Sequence, residues 1–96
     1  MKELNENNSA FLAQVRGRVQ GVGFRYSTTR EAEHLGLYGW VRNTANGDVE
    51  VWAEGPLEKL NLFEIWLNKG PPRSRIDFVK KDEVSPKGYT KFMIVR

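Results

Sequence analysis

The chain contains no cysteine. A disulfide framework, a thiolate nucleophile and a cysteine-ligated zinc site are therefore excluded. It has a single histidine, His34, too few for a histidine-rich metal site. Nowhere do apolar residues run to the ~20 that a membrane-spanning helix needs. The opening MKELNENNSA lacks the apolar core of a signal peptide, and its polar, Asn-rich character predicts a loose, flexible tail over residues 1–10. Together these absences set the expectation of a cytoplasmic protein with no membrane partner. No internal repeat and no low-complexity linker interrupts the rest.

What is present is a globular composition. Apolar residues make up 40% of the 96 residues and charged residues 28%, which suits one compact domain, expected over residues 11–96. The formal net charge is +3 and the isoelectric point about 9.4. That balance favours anionic ligands in general without selecting nucleic acid over a small phosphate.

Periodicity orders the chain. In FLAQVRGRV, Phe11, Ala13, Val15 and Val19 share one face while Gln14, Arg16 and Arg18 share the other, the pattern of a half-buried strand. RYSTTREAEHLGL reads as a helix that Gly36 stops. YGWVRNT is a second strand, Asn46-Gly47 the strongest hairpin signal, and VEVWAEG a third strand that alternates cleanly. Pro56 opens a second helix lined by Leu60, Phe63 and Leu67, and Gly70-Pro71-Pro72 ends it. RIDFVKKDEV and KFMIVR supply a fourth strand and a short fifth. The order β-α-β-β-α-β with one extra strand predicts a ferredoxin-like α+β sandwich: an antiparallel sheet with two helices on one face. A right-handed crossover makes the first two strands parallel with the third between them, so both end at the same edge of the sheet. The glycine loop after the first strand and Asn43 at the end of the second can then face one pocket.

That loop, GRVQGVGFR, invites an anion. Gly21 and Gly23 take left-handed backbone angles at little cost, and such a turn can aim successive N–H groups into a concave nest. The helix that follows adds unpaired N–H groups and the positive end of its dipole. Arg25 stands in its first turn, where the dipole disfavours a cation. One reading is a guanidinium that forks two phosphate oxygens. The other is a solvated arginine beside a tight turn. The turn by itself decides between them no better than any isolated G-x-G.

Two longer stretches bear on the choice. Gly17-Arg18-Val19-Gln20-Gly21-Val22-Gly23-Phe24-Arg25 resembles the acylphosphatase signature G-x-V-Q-G-V-x-[FY]-R. Gly39-Trp40-Val41-Arg42-Asn43-Thr44-Ala45-Asn46-Gly47-Asp48-Val49 resembles the family's second signature around an invariant Asn and a hairpin glycine. The likeness runs on through Glu54-Gly55-Pro56 and Phe92 to Arg96. The resemblance implies hydrolysis of the carboxyl–phosphate bond of an acyl phosphate, giving a carboxylate and inorganic phosphate, without metal, cofactor or phosphoenzyme. It implies that Arg25 binds the phosphoryl oxygens together with backbone N–H groups of Gln20, Gly21, Val22, Gly23, Phe24 and Arg25, and that Asn43 holds the attacking water. The partner is then a small acyl phosphate, and a monomer suffices.

The chemistry tolerates so few tools. A carboxylate leaving group, whose conjugate acid has a pKa of roughly 4, departs without a general acid. Phosphoryl transfer mainly needs positioning and charge stabilisation. A rival expectation rests on Trp40 and Trp52, which alternate with Val41, Val51 and Ala53 and so point to the helix-free face. RNA-recognition domains of this topology stack bases there. Glu50 and Glu54 beside Trp52 weigh against it, since carboxylates on that face repel a phosphate backbone. A catalytically silent interaction module is a third reading; the presence of both Arg25 and Asn43 argues against it. Phe24 is expected to anchor the loop in the core and His34 to lie at the surface.

Overall fold

The computed structural model describes residues 8–96. Five strands and two helices follow in chain order: β1 (Asn8–Arg18), α1 (Phe24–His34), β2 (Tyr38–Asn43), β3 (Val49–Pro56), α2 (Leu57–Lys69), β4 (Arg75–Val84) and β5 (Phe92–Ile94). The sheet order is β4-β1-β3-β2-β5. β3 runs antiparallel to both β1 and β2, so those two are parallel, separated by β3, and end at one edge of the sheet. This is the ferredoxin-like arrangement with one strand appended.

The core forms where alternation turns apolar side chains toward the helices. Val49, Val51 and Ala53 of β3 are fully buried, as are Ala13 and Val15 of β1 and Val41 of β2. α2 lays Leu60, Phe63 and Leu67 onto them, one side of its cylinder at helical spacing. Phe63 is the hub: its ring stacks on Phe11 at 6.2 Å and meets Phe92 edge-on at 6.2 Å. α1 contributes Phe24, Thr28 and Ala32, and Phe24 is buried as expected of the residue that anchors the loop. His34 is exposed at the end of that helix.

Three features differ from the expectation. β1 begins at Asn8, so residues 8–10, read as part of the tail, pair with β3 through Asn8↔Pro56, Ser9↔Gly55 and Ala10↔Glu54. A ladder is made by backbone groups, and polar side chains give no sign of it. Positions 1–7 of the expected tail lie outside the described residues.

The sheet is also mixed rather than wholly antiparallel, because β5 pairs parallel to β2. β4 runs antiparallel to β1 and finishes at the end of the sheet where β2 starts, with β1 and β3 between the two. A chain that crosses the sheet along that edge, from Ser85 to Lys91, can only rise alongside β2 in the same direction.

The third difference is Glu54, expected as an exposed carboxylate of the open face. It is 2% exposed. Its oxygens accept the backbone N–H groups of Lys87, Gly88 and Tyr89 at 2.6, 3.0 and 3.1 Å, and the Trp52 indole N–H at 2.8 Å. The carboxylate thus pins the crossover segment over Trp52, which is itself 7% exposed. Tyr89 meets the Trp52 ring edge-on and the Lys87 ammonium lies 4.7 Å from its centroid. The stacking surface that the RNA reading needs is covered at Trp52.

Candidate active site

Because β1 and β2 end side by side with only β3 between them, the turn after β1 and the tip of β2 meet over the same edge. There a hollow of about 220 Å³ is lined by Val19, Gly21, Gly23, Phe24, Arg25, Tyr26, Asn43, Ile94 and Arg96. Of the residues expected at the site it gathers Gly21, Gly23, Phe24, Arg25 and Asn43. Gln20 and Val22 do not line it. The Val22 side chain packs against the core, and the Gln20 side chain reaches the β2–β3 hairpin. A wider groove of about 840 Å³ lies among Tyr26, Arg30, Trp66 and Pro71. It contains neither Asn43 nor the glycine turn, so the chemistry argued from the sequence belongs to the smaller hollow.

The turn has the backbone its glycines foretell. Gly21 and Gly23 hold φ of +77° and +76°. A Cβ at either position would meet no atom within 4 Å, so the conformation, not crowding, calls for glycine. Gly21→Ala is expected to lower stability by about 1–2 kcal/mol, the cost of a left-handed non-glycine residue, read as a reduced urea midpoint. An unchanged midpoint would mean that the turn does not hold this shape.

α1 starts directly from Gly23 with no side chain capping it and no acidic residue in its first turn. Among the described residues, none of the N–H groups from Gly21 to Tyr26 donates to a protein acceptor; the first to do so is Ser27, to the Gly23 carbonyl at 3.0 Å. Uncapped N–H groups at a helix start carry partial positive charge and suit an anion. Arg25 is half-buried among them, and its guanidinium makes no ion pair or hydrogen bond among the described residues. Among the described residues, no Asp or Glu lines the hollow.

Across the hollow, Asn43 ends β2 opposite Val49. Its carboxamide oxygen is fully buried and has no hydrogen-bond partner among the described residues. An orphaned buried acceptor is costly, so such atoms in folded proteins call for a reason. Thr44 follows, and its hydroxyl donates to the Asp48 carbonyl at 3.2 Å, holding the hairpin rather than facing the hollow. Asn46 and Gly47 make the turn, with the Gly47 N–H bonded to the Thr44 carbonyl at 3.2 Å.

Beyond the residues expected, Val19 and Tyr26 line the hollow from the two flanks of the turn, and Ile94 and Arg96 reach it from the far end of the sequence. Nothing local marks that last pair. They reach the hollow because β5 pairs with β2 and the Val95 N–H bonds the Val41 carbonyl at 2.9 Å.

An ion pair braces the far side of the hairpin. Asp48 is 4% exposed, and Arg16 forks it through Nε and Nη2 at 3.0 and 3.1 Å. The hydrogen bond from Arg16 holds the Asp48 carboxyl below the usual carboxylate range, against the opposing effect of desolvation. A depressed folded pKa contributes stability above the unfolded pKa of about 4, and the contribution disappears as pH falls through the folded value. Comparing wild type with Arg16→Met in urea, the stability difference should be constant from neutral pH to about 5 and shrink as the pH falls through the folded value. A difference that persists in acid would mean that Arg16 acts through packing alone.

Among the described residues, no group of three His, Asp or Glu side chains is placed to hold a metal ion, and no helix is long and apolar enough to cross a membrane.

Comparison with known proteins agrees with this geometry. A model of the acylphosphatase family matches residues 11–94. An acylphosphatase of Pseudomonas paraeruginosa is 49% identical over 84 residues, covering 88% of this chain and 92% of that protein. The solved structure of an acylphosphatase from Coxiella burnetii superposes with a TM-score of 0.93 at 36% identity, covering 99% of this chain and 100% of that one. The crystal structure of the Bacillus subtilis acylphosphatase gives a TM-score of 0.89 at 40% identity over 92% of this chain and 99% of its own. By sequence, by fold and by the pairing of glycine turn and strand-end asparagine, the chain belongs to the acylphosphatase family.

Proposed function

We propose that this protein hydrolyses acyl phosphates by attack of a positioned water, with the phosphoryl group held by Arg25 and the turn from Gln20 to Arg25. The observation that carries the reading is that Asn43 lines the same hollow as an arginine unpaired among the described residues and uncapped helix N–H groups. The phosphoryl oxygens accept from the N–H groups and from the Arg25 fork. The Asn43 carboxamide hydrogen-bonds a water and holds it with a lone pair directed at phosphorus. As the water oxygen bonds to phosphorus, the phosphorus–oxygen bond to the acyl group breaks and the carboxylate leaves with the electron pair. Both water hydrogens end on the phosphate: one stays on the attacking oxygen and the other passes to a phosphoryl oxygen. No metal enters the step.

The N–H groups and Arg25 face the phosphoryl oxygens that carry negative charge in the transition state, which is where fixed donors lower a barrier most. The hollow of about 220 Å³ is small, and the turn's N–H groups and Arg25 hold the phosphoryl end of the substrate in it. The acyl group therefore stands at the rim beside Ile94 and Arg96, and acyl phosphates of different size are accepted. A monomer acting in the cytoplasm fits the reading. One chain supplies every residue of the hollow, and a sequence without cysteine needs no oxidising compartment.

The test is release of inorganic phosphate from benzoyl phosphate by the purified chain with a chelator present. Steady turnover that inorganic phosphate inhibits competitively is the expected result. Absence of turnover, or turnover that the chelator abolishes, would overturn the reading.

A further inference from the structure

The phosphate turn and Asn43 belong to strands that do not touch. β3 lies between β1 and β2, and the turn from Val19 to Gly23 has left the sheet ladder. Something must set the distance between the gripped phosphorus and the held water. Among the described residues, the side-chain hydrogen bonds that join the two come from Gln20 and Arg16.

Gln20 stands immediately before Gly21. Its Nε2 donates to the Thr44 carbonyl at 2.9 Å and to the Asp48 carbonyl at 2.8 Å. A primary carboxamide has two N–H donors, and both are used here on the hairpin that carries Asn43. The Asp48 carbonyl also accepts the Thr44 N–H at 2.9 Å, so the amide closes the hairpin from outside at the point where β2 ends. One residue earlier than Thr44 is Asn43. Arg16 adds a second strut from the last part of β1 to the Asp48 side chain.

We propose that the Gln20 side chain is a positioning residue for the hydrolysis. It fixes the spacing between the phosphate turn and Asn43, and so the line of attack, while leaving the grip on phosphate to the turn's N–H groups and Arg25. The inference rests on the function proposed above. Its logic is that the grip and the aim reside on different elements. Loosening the brace moves the aim and spares the grip.

The test is a kinetic cycle with benzoyl phosphate, using Gln20→Met, which keeps the bulk and loses both donors. In the wild-type background kcat should fall about 10–100-fold, the loss that a misplacement near 1 Å produces. The inhibition constant for inorganic phosphate should stay within about 3-fold, because uniform binding is untouched. In the Asn43→Ala background Gln20→Met should change kcat by no more than about 2-fold, since the residue it positions is gone. Gln20→Glu, which sets a carboxylate against two carbonyl oxygens, should lower kcat further than Gln20→Met. Arg16→Met cuts the second strut at an exposed side chain and serves if Gln20 variants do not fold; it should lower kcat with phosphate inhibition unchanged. An effect of Gln20→Met equal in both backgrounds, or a phosphate inhibition constant that rises as kcat falls, would overturn the inference. If Asn43→Ala collapses turnover while Gln20→Met and Arg16→Met are silent, only this inference fails; if Asn43→Ala is itself silent, the proposed role of Asn43 fails with it.

Discussion

Arg25→Ala is expected to lower kcat/KM for benzoyl phosphate by about 10³-fold or more, the scale on which an arginine acts in phosphoryl transfer. The reason lies in the surroundings. Arg25 sits in the first turn of α1, half-buried, beside N–H groups that no side chain caps and with no acidic residue in that turn. Its charge is therefore unfavourable in the empty hollow and favourable once an anion arrives. The same contact exists with bound phosphate, so affinity should fall too. A charge-assisted hydrogen bond contributes about 1.5–3 kcal/mol, which predicts inorganic phosphate inhibition weaker by about 10- to 100-fold. Arg25→Lys should recover only part of both losses, because a point charge cannot fork two oxygens. Steady-state kinetics with phosphate as inhibitor reads both quantities. Near-normal phosphate inhibition in Arg25→Ala would show that the guanidinium does not clamp the phosphoryl group.

Asn43→Ala should separate the two quantities that Arg25→Ala moves together. Turnover is expected to drop by about 10²- to 10³-fold, the loss on removing one oriented polar group from a transition state. Phosphate inhibition should stay within about 3-fold, because a water-holding group contributes little to the grip. The substitution also removes the buried, unpartnered Asn43 oxygen. An orphan acceptor is destabilising, so the variant should unfold at equal or higher urea concentration than wild type. A rise in stability with a fall in turnover is the signature of a residue kept for function at the expense of the fold. Unchanged turnover would remove Asn43 from the mechanism.

The strands and helices were legible where burial on one side leaves a periodic trace. Val49, Val51 and Ala53 alternate, and Leu60, Phe63 and Leu67 recur at helical spacing; each set faces the core in the folded chain. The turn was legible because φ near +77° leaves few residue types besides glycine. Other features left no local trace. Asn8 and Ser9 join a ladder through their backbones alone. Glu54 looked like a surface carboxylate because its partners, the N–H groups of Lys87, Gly88 and Tyr89, lie more than thirty positions downstream.

From the order of residues alone came the α+β plan, the shared edge of the first two strands, and Arg25 and Asn43 as the pair to watch. Local conformational preference and one-sided burial suffice for the plan and the shared edge, since each acts over a few neighbours, whereas Arg25 and Asn43 were singled out by the resemblance to the acylphosphatase signatures. Tertiary structure alone decided that β5 rises parallel to β2 and brings Ile94 and Arg96 to the rim, that the crossover covers Trp52, and that the Gln20 side chain reaches the hairpin. Each of these depends on a hydrogen bond or strand pairing between distant segments. Such a partner is chosen by where the backbone has already brought the groups together, and no pattern within a short window records that choice.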